Sequence, residues 1–119
     1  MRQAFAHEAL VEMPSDADTR APGAAVTVAL CGHWDHPPPC PDAPHHTAAV
    51  RTPDGVRLRI LFATEPPGEL SVRRRIEEAL RAGSLRGPDG TVTRWRLLGC
   101  TASAVTAAET AHGARLAEG

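Results

Sequence analysis

The clearest alternation of apolar and polar positions runs from residue 56 to 62. Val56, Leu58, Ile60 and Phe62 share one parity, and Arg57 and Arg59 take the other. A period of two is the mark of a half-buried strand. Just before it stands Pro53-Asp54-Gly55, a strong short-range hairpin signal, so residues 45–64 read as two antiparallel arms. On the first arm Ala48 and Val50 are expected to face the core, leaving His45 and Thr47 outward.

Residues 69–83 switch to the helical period. Val72, Ile76, Ala79 and Leu80 form one stripe, and Gly83 suits a left-handed C-terminal cap. Residues 91–100 return to alternation, with Trp95 and Leu97 inward and Arg94 and Arg96 outward. Thr106 and Glu109 stand in capping-box spacing, which predicts a final helix that Gly113 weakens. Residues 2–13 gather Phe5, Ala9, Leu10 and Met13 on one helical side. Residues 25–34 alternate Val26, Val28 and Leu30 with Thr27, Ala29 and Cys31, predicting a strand. The prolines of 35–44 lack the donor that a sheet ladder requires.

Strands followed by helices predict an α+β fold: a single antiparallel sheet of about four strands, with one or two helices packed on one face and the other face open. Residues 1–23 read as an N-terminal segment and linker leading into a single domain over 24–119. At 119 residues the chain has room for one core. Its basic residues are all arginine, and it contains no Lys, Asn or Tyr. Such a bias points to a GC-rich bacterial genome and weakens any case that each arginine was chosen over lysine. No apolar run spans a bilayer and no export signal is legible. An odd cysteine count then favours reduced thiols in a cytoplasm, with a Cys31–Cys40 bridge as the alternative in an oxidising compartment.

The densest chemistry lies in CGHWDHPPPCPDAPHH, residues 31–46. Six of the nine Cys and His residues fall there, where an even spread would place about one. With 25–34 as a strand beside the first hairpin arm, Cys31, His33 and His45 would meet at the sheet's end under the loop bearing His36 and Cys40. The expected metal ligands are His33, His36, Cys40 and His45, with Cys31 and His46 in reserve. One thiolate and three imidazoles suit Zn²⁺; a set richer in cysteine would also take Cu(I). Asp35 and Asp42 would orient the imidazoles. His7 and His112 read as ordinary surface residues.

Cys31-x-His33-x-Asp35-His36 resembles the H-x-H-x-D-H motif of the metallo-β-lactamase-fold hydrolases, with Cys31 where the first His stands. The resemblance covers six residues. The family draws further ligands from later in a longer chain, whereas only His112 follows His46 here, so it is carried no further.

The first expectation is therefore a small zinc-binding domain with a structural or regulatory site. The alternative is an interaction module, contacting an anion, a protein or a second copy through Arg57, Arg59, Arg94 and Arg96 on the open sheet face. Scarce aromatics speak against nucleic acid as that partner. A small metal-dependent hydrolase comes third.

Overall fold

The structure is a computed structural model that describes residues 1–31 and 43–118, Cys31 in its backbone only. The elements run β1 (Gln3–Glu12), α1 (Ala21–Cys31), β2 (His45–Thr52), β3 (Gly55–Thr64), α2 (Glu69–Ala82), β4 (Ser84–Arg86), β5 (Val92–Arg94), β6 (Arg96–Ser103) and α3 (Thr110–Glu118). Strands β2-β3-β1-β6, in that spatial order, form one antiparallel sheet, and β4 pairs with β5 in a separate hairpin. The fold is α+β. Omitting the small hairpin and α3, its order is the β-α-β-β-α-β of the split β-α-β motif. That topology hosts many unrelated activities and argues for none.

The β2–β3 hairpin forms as its sequence predicts. Thr52 faces Gly55 across the turn. Gly55 has φ 145°, and a Cβ there would stand 2.4 Å from the Val11 carbonyl oxygen of the neighbouring strand, so only glycine fits. Helix α2 also matches: Val72, Ile76 and Leu80 are buried, and Gly83 ends it at φ 71°. Trp95 breaks the expected 91–100 strand into β5 and β6. Its buried ring donates Nε1–H to the Leu80 carbonyl and its backbone N–H to Gly83, tying β6 to the end of α2.

Two elements differ from expectation. Residues 2–13 form not a helix but β1, and they supply a central strand of the sheet rather than a leader to it. Phe5, His7, Ala9 and Val11 share one face of β1, and Ala4, Ala6, Glu8 and Leu10 the other. Both faces are partly covered, so the apolar pattern shows no clean period. Residues 21–31 form a helix, not a strand. Ala21, Ala25, Val26 and Leu30 are its buried side, at helical spacing. Pro22 sits in its first turn, where a missing N–H costs nothing.

Helices α1 and α2 pack together against the face carrying Val11, Val56, Leu58, Ile60 and Phe62. Helix α3 lies on the opposite face, which was expected to be open. Gly113 comes so near β1 that a Cβ would stand 2.8 Å from that of Ala4, and Arg59 of β3 forks onto Glu109 at 2.7 and 2.9 Å. The capping box of Thr106 and Glu109 forms as predicted and starts this segment. Beneath it Ala6, Leu61 and Ala63 are buried.

Candidate functional site

The hairpin register decides where the expected ligands can point. Because Thr52 opposes Gly55, His45 falls opposite Phe62 and Thr47 opposite Ile60, so both face the α1 side rather than outward. His46 opposes Leu61 and faces the other way, where its ring meets that of His112 at 4.9 Å. Neighbouring residues of one strand therefore deliver the two imidazoles to opposite sides of the sheet. His33, His36 and Cys40 lie outside the described residues, as do Asp35 and Asp42. The expected route by which Cys31, His33 and His45 would meet, across a pair of strands, is absent because 21–31 is helical and β2 pairs with β3.

His45 is nonetheless held in a defined state. Its Nδ1 stands 2.8 Å from the Ala43 carbonyl oxygen, which can only accept, so Nδ1 carries the proton. Its Nε2 stands 2.8 Å from Thr27 Oγ1 on α1, and that hydroxyl also reaches the Gly23 carbonyl at 3.2 Å. With neutral His45, Thr27 donates to Nε2. The hydroxyl has one proton, so it can donate to Nε2 or to the Gly23 carbonyl but not to both. Gly23 lets β2 approach closely, since a Cβ would stand 3.1 Å from that of Thr47. Thr47 Oγ1 is buried there without a hydrogen-bond partner among the described residues. Thr27, His45 and Thr47 line a pocket of about 370 Å³ beside α1.

A second cluster was not anticipated. His7, at 1% exposure, is the most buried ionisable side chain among the described residues. Its Nε2 stands 3.0 Å from Cys100 Sγ of β6 and 3.6 Å from Glu77 Oε1 of α2. One ligand atom from each of the three lies within 4.8 Å of the others, close enough to share an ion. The opposite ring nitrogen argues otherwise. Arg73 of α2 donates through Nη1 to His7 Nδ1 at 2.9 Å and to the Ala6 carbonyl at 2.6 Å. Its Nε bonds Glu69 at 2.8 Å, and its guanidinium lies 5.2 Å from the centre of the Phe62 ring. Arginine never accepts, so Nδ1 must hold the lone pair and Nε2 the proton. A metal-bound imidazole needs the reverse, with its far N–H given to an acceptor. His45 meets that requirement and His7 does not.

Electrostatics agree. Burial, and then the Arg73 guanidinium, hold the His7 pKa below its ordinary value, with Glu77 partly opposing. Burial, and then Glu77, push the Cys100 thiol up to about 11, so it stays protonated and weakly nucleophilic at neutral pH. A β-bulge brings Cys100 here. The register of β6 on β1 shifts between Leu10 and Val11, with Gly99 opposite Leu10 and Leu97 opposite Val11. The extra residue, Leu98, reverses the parity that would have turned Cys100 outward with Arg96.

The arginines disperse. Arg59 is 18% exposed and is bound by Glu8, Glu109, Ser103 and the Ala104 carbonyl. Arg96 pairs with Glu12 near the surface, and Arg94 lies on the separate β4–β5 hairpin. Arg57 stands exposed between Val50 and Leu10 on the half of the sheet that α3 leaves bare. Arg51 donates to the Pro14 and Ala17 carbonyls and holds the β1–α1 connection. Among the described residues no helix is long and apolar enough to cross a membrane. Compared with protein-family models, curated proteins and solved structures, the chain matches none.

Proposed function

We propose that this chain is a small zinc-binding domain whose ion is held by the Cys/His-rich segment 31–46 in a structural or regulatory role. The ligands are His45 through Nε2, with His33, His36 and Cys40. The observation that carries the reading is the state of His45: its Nδ1–H is given to a backbone carbonyl, the arrangement that fixes a ligating imidazole. The density of donors in 31–46 supports it, as does the Thr47 hydroxyl in the adjoining pocket, unpartnered among the described residues. Coordination at Nε2 requires Thr27 to rotate off that nitrogen, leaving Gly23 as its acceptor. His46 stays in reserve, its ring turned to the other side of the sheet beside that of His112.

Elemental analysis of purified, untagged protein tests this directly. Near-stoichiometric zinc is expected, lost in the His36→Ala, Cys40→Ala double variant and reduced in His45→Ala. Chelation should lower Tm and added Zn²⁺ restore it, because an ion bound only by the folded chain stabilises it by linkage. Copper in place of zinc would correct the metal. Protein that carries no metal, with a Tm indifferent to Zn²⁺, overturns the reading.

A further inference from the structure

The His7 cluster shares no residue with that site. We infer that His7 is a proton-operated catch, fastening α2 to the central strand β1 while neutral and releasing it on protonation. The geometry allows one neutral arrangement. Arg73 donates to Nδ1, and Nε2–H points at the Cys100 sulfur and the Glu77 carboxylate. A second proton has one place to go, Nδ1, which already faces the Arg73 N–H at 2.9 Å. Protonation therefore replaces a hydrogen bond with two opposed donors and two like charges.

Arg73 cannot simply step aside. Glu69 grips its Nε, the Ala6 carbonyl takes its Nη1, and the Phe5 and Phe62 rings lie beneath it. The strain falls on the packing of α2 against β1. The charged and titratable groups facing His7 are Arg73 and Glu77 from α2 and Cys100 from β6; behind them Glu69 partners Arg73 and Arg81 lies near Cys100. Of these only Glu77 favours the imidazolium, from 3.6 Å and partly exposed.

The sign follows. The fold prefers neutral His7, so its folded pKa lies below the ordinary value of 6.5. Stabilisation by the catch is complete above 6.5 and is lost as pH falls toward and through the folded value.

Two measurements test the catch, both with a chelator present to exclude metal. Nitrogen NMR of the His7 ring in the wild-type protein near pH 8 should show a bare Nδ1 and a protonated Nε2. Hydrogen-exchange protection factors for α2 amides around Val72 and Ile76 should fall up to about tenfold per pH unit below the ordinary imidazole pKa, the limit for one proton. His7→Asn offers an acceptor on the Arg73 side without a titrating ring and should abolish that step. Glu77→Gln lowers the folded pKa further, so the fall should start at the same pH and continue to lower pH and lower protection. A protonated Nδ1 at neutral pH overturns the catch without any variant. So does α2 protection that ignores pH in the wild type, or a step unchanged in His7→Asn. Each readout is independent of the zinc content, so loss of the zinc-site reading would leave this one standing.

Discussion

Placing a methyl group on Gly113 sets two known effects against each other. In an isolated helix Gly→Ala stabilises by about 1 kcal/mol, so propensity alone makes Gly113→Ala beneficial. In the fold the new Cβ would stand 2.8 Å from Ala4 Cβ, against 3.4–4 Å for ordinary contact, so the helix and strand must part by about 0.6 Å. Neither atom belongs to a flexible side chain. Retreat of α3 is resisted by the two Arg59–Glu109 bonds and by the Glu109–Thr106 cap bond at 2.9 Å. Overpacking of this kind costs about 1–3 kcal/mol. The difference leaves Gly113→Ala destabilised by about 1 kcal/mol, a fall in Tm of roughly 3–6 °C for a chain of this length. Urea denaturation should give the same sign. Ala4→Gly removes the opposing methyl, so the double variant should be more stable than the sum of the singles by about 1 kcal/mol. A raised Tm for Gly113→Ala, or strict additivity with Ala4→Gly, would refute the close approach of α3 to β1.

Other outcomes follow from single contacts. Arg59, with help from the Thr106 N–H, holds the Glu109 carboxyl at a pKa of about 2, well below its ordinary 4.5. The stability it contributes is full above pH 4.5 and lost as pH falls toward 2; Glu109→Gln should flatten that part of the acid-unfolding profile and cost about 1–2 kcal/mol at pH 7. Trp95→Phe removes both the bond to the Leu80 carbonyl and part of a buried ring, so a loss of about 2–4 kcal/mol in urea unfolding is expected. No loss would refute both contributions.

The elements that the sequence predicted well are those with one buried face or a turn with a unique solution. β3 alternates because α1 and α2 bury one of its sides more fully than the other, Pro53-Asp54-Gly55 permits one reversal, and α2 carries a single stripe. β1 shows no clean period because its two faces pack against different partners, and the inward His7 interrupts even the buried parity. α1 is ambiguous in sequence because Val26, Val28 and Leu30 fit a strand as well as a helix. Pro22, after Asp18 and Thr19, was the signal that could have identified a helix start. For the candidate site, the richness of 31–46 was legible, as was the presence of His45. Its facing direction was not, since one residue of register reverses it. The His7–Cys100 approach was beyond reach of the sequence: it joins residues 93 apart and depends on the bulge at Leu98. Arg73 had no legible assignment either, although it decides which tautomer His7 adopts.

The position of β1 has a consequence for how the chain assembles. It comes first in sequence yet lies inside the sheet, and its two neighbours are made from residues 55–64 and 96–103. On a ribosome, β1 would emerge with neither neighbour made; it would wait for β3 and, on its second edge, for residues 96–103. Such distant closures slow folding and prolong exposure of an unpaired apolar strand. The charges of Glu8 and Glu12, set among its alanines and valine, suit a segment that must stay dispersed while it waits.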